Sequence, residues 1–252
     1  MKFFADTVKS RFGFWLFIFY LLGIFSFFTL NNCGGGGGGS SDGGTIPPII
    51  SGDYILADHL AAVAYVPESA INAAKATLRI AYGHTSHGSQ LVTGMNALES
   101  WNSSLYGGLD LRDQPFSGAS DLGNPDRTAW ATATRNYLNA HPQINVVIWS
   151  WCGQVSDATE ANINTYLNLM NALEADYPSV RFVYMTGHLD GGGATGNLNL
   201  RNQQIRNYCQ TNNKILFDFA DIESYDPQGA TNYMALGAND NCDYSGGHNW
   251  AS

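Results

Sequence analysis

Short, continuous apolar runs alternate along this chain with longer segments of helical periodicity. The runs are rich in Val, Ile and aromatic residues and do not alternate with polar ones, as expected of strands buried on both faces of a sheet. Strands separated by helices form parallel βαβ units. The predicted strands cover residues 78–82, 146–151, 181–186 and 215–219.

The helical segments are bounded by residues that start or stop helices. Pro125 precedes the second segment, and Pro142 and Pro178 follow the second and third. Residues 102–124 are rich in Gly and Asp and predict a long loop with at most a short strand. The predicted helices cover residues 90–101, 128–140, 160–176 and 199–212. The sequence therefore predicts an α/β domain with three layers, α/β/α, and a mostly parallel sheet.

The first 33 residues resemble a bacterial lipoprotein signal peptide. Basic residues precede an apolar run over residues 12–30, and Cys33 follows, where such proteins are cleaved and lipidated. Residues 34–50 then form a Gly/Ser-rich linker. Asn32 stands where that pattern prefers a small residue, so an uncleaved membrane anchor is the alternative. Either way, we expect the domain over residues 51–252 to be anchored to a membrane of the bacterial cell envelope, facing the periplasm or the exterior.

The charge balance argues against nucleic acid as a partner. The chain has 12 Lys and Arg against 21 Asp and Glu, a net charge of −9 with His neutral, and no basic cluster. Phosphate binding needs clustered Lys and Arg. Asn, Gly, Thr, Ser and aromatic residues are instead frequent, which is compatible with neutral or sugar-like ligands and equally with an ordinary secreted surface.

Residues 83–88, Gly-His-Thr-Ser-His-Gly, follow the first predicted strand and directly precede a helix. A strand-to-helix turn raises its side chains above the carboxyl end of a sheet, and the helix start offers unpaired N–H groups to a developing oxyanion. This context suits acyl transfer with Ser86 as the nucleophile. In the structural alternative, the glycines only shape the turn, and Ser86 and Ser89 cap the helix.

Chemically reactive residues follow the other predicted strands as well. Because the carboxyl ends of parallel strands meet at one rim, we expect these side chains to converge there. Each residue alone has a structural explanation as a turn or cap residue, but the group predicts a site. The group comprises His84, Ser86, His87, Cys152, Gly153, Gln154, Thr186, Gly187, His188, Asp190, Asp218, Asp221 and Glu223.

Residues 76–226 resemble the SGNH hydrolases, also called GDSL esterases and lipases. In that family a Gly-Asp-Ser block after the first strand carries the nucleophile; here residues 83–88 occupy its place, with His for Asp and the Ser shifted by one. The family's oxyanion hole uses the nucleophile's own N–H, a loop Gly and an Asn amide. The resemblance assigns these roles to Ser86, Gly118 and Gln154. The amide of Gln154 would donate the same hydrogen bond as the Asn amide, from one methylene further from the backbone. It also implies a flavodoxin-like SGNH hydrolase fold and a serine esterase without a cofactor.

The catalytic base is where the sequence departs from the family. SGNH enzymes place an Asp and a His three residues apart before a closing helix, so that the His deprotonates the Ser. Here Asp243 and His248 are five apart in a Gly-rich stretch near the end of the chain. We therefore expect a truncated sequence with weak activity. His188, at the end of a neighbouring strand, is the best internal substitute for the base, and His248 is the second.

Three cysteines remain when Cys33 carries a lipid. They are Cys152, Cys209 and Cys242, an odd number in an oxidising compartment. Either Cys242 pairs with a cysteine beyond residue 252, or it is a buried free thiol.

Two other classes of function compete with the esterase. His84, His87, His188 and Asp190 form a loose Zn²⁺ ligand set that would activate water for hydrolysis. Alternatively, Trp101, Trp130, Trp149, Trp151 and nearby tyrosines form a sugar-stacking cleft in a non-catalytic surface lipoprotein, although Trp149 lies within a predicted strand and is expected in the core. The favoured hypothesis is an extracytoplasmic serine esterase acting on a small-molecule or carbohydrate ester. Acyl groups on carbohydrate are one candidate substrate, and lipid or peptide esters fit the sequence equally well.

Overall fold

Short parallel strands build the sheet at the centre of the protein. The computed structural model describes residues 54–61, 66–226 and 228–251, and the predicted signal peptide, Cys33 and the linker lie outside these residues. Within them, the sheet has six strands in the spatial order β1-β6-β5-β4-β2-β3. Every neighbouring pair is parallel. The strands are β1 (Ile55–Ala57), β2 (Arg79–Gly83), β3 (Asp110–Asp113), β4 (Val146–Trp149), β5 (Arg181–Met185) and β6 (Ile215–Phe217).

Helices cover both faces of the sheet. They are α1 (Glu68–Thr77), α2 (Ser89–Trp101), α3 (Ser103–Tyr106), α4 (Ala129–Ala140), α5 (Glu160–Asp176), α6 (Asn197–Thr211) and α7 (Phe219–Glu223). One core cluster joins α4, α5 and α6 to the sheet, and a second joins α1, α2 and α7 to the opposite face. Within β4, Val147 and Trp149 belong to the first cluster, and Val146 and Ile148 to the second. Burial on both faces explains why the strands are continuously apolar.

The predicted three-layer α/β/α fold is therefore confirmed. The predicted strands and helices are present, and their ends differ from the prediction by at most two residues. At the start of α5, local capping explains the agreement: Thr159 and Asn162 form a reciprocal capping box. Strand β1 and helices α1, α3 and α7 were not predicted; α3 and the short strand β3 lie within the predicted loop over residues 102–124. The last predicted strand also extends too far, because Asp218 ends β6 by accepting the N–H of Asp221 and starting α7.

The sheet order places a topological switch point beside β2, between β2 and β4. From β2 the chain crosses to β3 on one side and then to β4 on the other, so that the loops after β2 and β4 diverge. Strands β2 to β6 follow the order of flavodoxin-like sheets, with β1 added beside β6. Ligands of such sheets bind at this switch point, outside the carboxyl ends of the strands.

The last part of the described chain folds back over the end of the sheet at which the strands have their carboxyl ends. A short antiparallel hairpin of β7 (Asp243–Tyr244) and β8 (His248–Asn249) follows a 3-10 turn at Met234–Leu236. A bridge between Asp190 and Asn239 joins this segment to the loop after β5. The Gly-rich stretch thus contributes residues to the rim on which the predicted site residues lie.

Candidate active site

The turn after β2 is shaped by close packing. A Cβ atom at Gly83 would overlap the indole ring of Trp149, and one at Gly88 would overlap the side chain of Ser150 and the Cβ of His84. Both glycines are therefore required for the packing of β2 against β4 and of the turn against the sheet. The two glycines therefore have the structural role of shaping the turn.

Ser86 starts a 3-10 turn, Ser86–Gly88, that continues directly into α2. Its φ of 45° lies in the left-handed region, which costs a non-glycine residue about 1–2 kcal/mol. Its side chain is exposed, and no side chain caps the 3-10 turn or the first turn of α2. An exposed hydroxyl thus lies at an uncapped helix start, where the helix dipole favours negative charge. Ser86 itself is therefore not acting as a side-chain cap.

His87 lies between Ser86 and a carboxylate from the end of the chain. Nδ1 of His87 lies 3.4 Å from Oγ of Ser86, and Nε2 of His87 contacts Oδ2 of Asp240. The side chains of His87 and Asp240 are each 22% exposed. The three residues form a Ser–His–Asp series in which the imidazole presents Nδ1 to the serine and Nε2 to the carboxylate. Asp240 was not among the predicted site residues.

His188 packs against the other side of His87. The two ring centroids are 3.8 Å apart, and His188 is only 8% exposed. Nδ1 of His188 lies 2.9 Å from the backbone oxygen of Leu189, whereas Nε2 is buried with no hydrogen-bond partner. Burial lowers the pKa of His188, and the nearby His87 lowers it further. His188 is therefore a neutral imidazole whose Nδ1 donates to a carbonyl and whose Nε2 carries a lone pair.

Glu223 supports the loop that carries His188. Its Oε2 accepts the N–H of Leu189 at 2.8 Å. Burial raises the pKa of Glu223 to about 8, and the charge of Asp240 also acts to raise it. Near neutral pH this carboxyl group therefore holds a proton in much of the folded population.

Asp121 connects the loops on both sides of the switch point. It is 1% exposed, and its Oδ2 accepts a hydrogen bond from Oγ1 of Thr85. Its Oδ1 accepts from the N–H of Gly123 at 2.8 Å and from Nε2 of Gln154 at 3.1 Å. The amide of Gln154 thus donates to a buried carboxylate on the same rim as the Ser86 turn. Sequence reasoning missed Asp121; the Asp-rich character of residues 102–124 was the available signal.

Gly118 lies in the loop after β3 at a φ of 94°, with open space where a side chain would stand. Within the described part of the chain, no hydrogen bond joins Gly118 to Ser86. The predicted oxyanion roles of Gly118 and Gln154 stay predictions, because both depend on where a substrate would lie.

Only part of the predicted zinc ligand set comes together. Among the described residues, His87 and His188 share a group with Asp240 in which the ligand atoms lie within 4.8 Å of one another. His84 lies elsewhere: it is buried, stacks on Tyr82, and its Nε2 lies 2.6 Å from Oδ1 of Asp113. Oδ1 of Asp190 accepts the N–H of Gly192 at 2.8 Å.

A second His–Asp pair lies at the far end of the rim, after β1 and β6. Nδ1 of His59 lies 2.5 Å from Oδ2 of Asp221, which also accepts the His59 backbone N–H at 3.0 Å. Close by, Arg206 donates to both oxygens of the buried Asp218, at 2.6 and 2.8 Å. These contacts tie the loop after β6 to its neighbours, so Asp218 and Asp221 have structural partners.

The cysteines are free thiols in the described residues. Burial raises the pKa of Cys242 to about 12 and that of Cys209 further still. Neither thiol is ionised near neutral pH, which argues against a cysteine nucleophile at either position.

Comparisons with known proteins add no family to this geometry. The chain matches no protein-family model, no curated protein and no solved structure. No helix within the described ranges has the length and apolar character needed to cross a membrane.

Proposed function

We propose that this protein is a serine esterase in which Ser86 is the nucleophile and His87 is the general base. The observation that carries the proposal is the series of contacts from Oγ of Ser86 to Nδ1 of His87 and from Nε2 of His87 to Asp240. The turn that carries Ser86 and His87 lies at the switch point of a parallel sheet, where ligands of such folds bind, and this position supports the same conclusion.

The chemistry follows the roles in a catalytic triad. Nδ1 of His87 takes the hydroxyl proton as Oγ of Ser86 attacks the ester carbonyl carbon, and the protonated ring then gives that proton to the departing alcohol. The resulting acyl-enzyme is hydrolysed when His87 deprotonates a water molecule and returns the proton to Ser86. Asp240 orients the ring and stabilises its positive charge. Because triads are defined by geometry and roles, the reversed orientation of the ring does not change this sequence of steps.

The uncapped helix start supports the stabilisation of the oxyanion. The 3-10 turn and α2 begin at the nucleophile, and no side chain caps them. N–H groups and the helix dipole at such a start favour negative charge on the substrate oxygen. Gly118 and Gln154 remain candidates for additional donors, and Gln154 would act while still held by Asp121.

His87 is preferred to His188 as the base because of the contacts that each ring makes. His87 lies within 3.4 Å of the Ser86 hydroxyl, whereas Nδ1 of His188 is engaged with the backbone of Leu189. In this proposal His188 positions the ring of His87 by packing against it. The substrate is a small-molecule or carbohydrate ester, and the serine mechanism needs no cofactor. The proposed lipid anchor and extracytoplasmic location rest on the sequence of residues 1–50 alone.

A serine-reactive fluorophosphonate probe and turnover of a small aryl ester test the proposal. We expect the probe to label Ser86, and Ser86→Ala to lower turnover by about a thousandfold or more while the protein stays folded. Ser89→Ala is the matched control, because Ser89 is an exposed serine three residues away on α2. Turnover that survives Ser86→Ala, or that requires a metal ion and leaves Ser86 unlabelled, would contradict the serine mechanism.

A further inference from the structure

We infer that His87, His188 and Asp240 also form a binding site for a divalent transition-metal ion, with Zn²⁺ as the best-suited ion. The ligand atoms are Nε2 of each histidine and a carboxylate oxygen of Asp240, and one ligand atom from each residue lies within 4.8 Å of the others. The three side chains come from the turn after β2, the loop after β5 and the C-terminal segment, so that only the folded chain assembles them.

The state of His188 points to a ligand. Its ring is more than nine-tenths buried, and Nε2 has no hydrogen-bond partner. A buried polar atom left without a partner is unfavourable, so native structures rarely keep one. Because Nδ1 donates to the backbone oxygen of Leu189, the proton is held there and Nε2 carries the lone pair. A histidine that donates its other N–H to a carbonyl is the usual arrangement of a metal-binding histidine.

The donor set selects the class of ion. Two imidazoles and one carboxylate match the three protein ligands of catalytic zinc sites, which leave a fourth position open. Mg²⁺ and Ca²⁺ prefer all-oxygen sites, so two nitrogen ligands disfavour them. Zn–N distances of about 2.0–2.1 Å place tetrahedral ligand atoms roughly 3.4 Å apart. The ligand atoms already lie within 4.8 Å of one another, and the packed rings of His87 and His188 must turn so that both Nε2 atoms face one ion.

Metal binding would change the proton on His87. In the proposed esterase, Nε2 of His87 carries the ring proton and donates a hydrogen bond to Asp240, while Nδ1 accepts the proton of Ser86. A metal ion can bind Nε2 only when this atom has a free lone pair, so the single proton of the neutral ring moves to Nδ1. Nδ1 then donates to the Ser86 hydroxyl and can no longer accept from it. Zn²⁺ would therefore inhibit ester hydrolysis, a consequence that rests on the proposed function, whereas the metal site itself does not.

Calorimetric titration of the metal-free full chain with ZnCl₂ tests the site without any substrate. We expect one ion per chain, and loss of binding in His188→Gln. Asp240→Asn serves as a second ligand variant, and thermal unfolding shows which variants are folded. His141→Gln is the matched control, since His141 lies between α4 and β4, near the amino-terminal end of β4 and so away from the carboxyl ends of the strands. Ser86→Ala must retain binding, because Ser86 is not a ligand.

Absence of binding, or binding that survives both ligand variants, would overturn the site. Turnover of an aryl ester with and without Zn²⁺ tests the inhibition separately. Lower turnover with Zn²⁺, restored by a chelator, supports it. Turnover that rises with Zn²⁺ and falls with a chelator would overturn the inhibition and indicate metal-activated water, while the binding result would still stand.

Discussion

Replacing Glu223 by Gln should change how the stability of the protein depends on pH. Glu223 accepts the N–H of Leu189 while partly buried beneath the site. Burial raises its pKa from the ordinary value of 4.5 to about 8. Between these two values the unfolded chain has lost the proton that the folded chain still holds. The folded state binds more protons there, so the free energy of unfolding falls as pH rises through this window. The stabilisation that the protonated Glu223 provides is fully present below pH 4.5 and is lost above about pH 8.

The size of this effect follows from the same two values. The difference in the pKa of Glu223, from 4.5 in the unfolded chain to about 8 in the folded chain, corresponds to at most about 5 kcal/mol in the free energy of unfolding. Because the side chain keeps some contact with water, we expect about 2–3 kcal/mol. The amide of Gln matches the protonated carboxyl group in shape and still accepts from Leu189, so the variant should resemble the wild type at acidic pH. At alkaline pH it should be more stable by about 2–3 kcal/mol.

Urea denaturation at several pH values between about 4.5 and 8.5 measures this difference. Glu99→Gln is the matched control, because Glu99 is an exposed glutamate near the end of α2. It should follow the wild type across the range. Parallel pH profiles for the wild type and Glu223→Gln would refute the reasoning, since they would show that Glu223 titrates alike in the folded and unfolded chains.

The remaining predictions concern packing, a buried ion pair and the proposed base. Gly83→Ala should lower the free energy of unfolding by about 1–3 kcal/mol, because the new Cβ overlaps Trp149; unchanged urea stability would contradict this. Arg206→Met should cost about 3–5 kcal/mol in urea denaturation, because Asp218 is left buried and unpaired, and a cost near zero would mean that water replaces the guanidinium. His87→Ala should lower kcat on an aryl ester by about a thousandfold with little change in KM, and a change confined to KM would assign His87 to substrate binding.

The order of strands and helices was predictable because its signals are local. Apolar runs, prolines and helix caps act over a few residues, and the capping box of Thr159 and Asn162 marks the start of α5 in the sequence itself. Strand β1 was missed because three residues at a sheet edge carry no periodic signal. The convergence of His87 and His188 was also predictable, since both follow strands of one parallel sheet.

The partners of these histidines were decided by the tertiary structure. Asp240 reaches His87 because the segment after α7 folds back over the rim, and nothing near residue 240 in the sequence indicates that path. Asp121 joins Thr85 to Gln154 for the same reason: three separate loops meet at the switch point. Sequence patterns report which face of an element is apolar, whereas contacts between distant loops depend on strand order and on the route of each connection. The sequence by itself therefore determined the layers and the rim, and only the folded chain determined which acid pairs with which histidine.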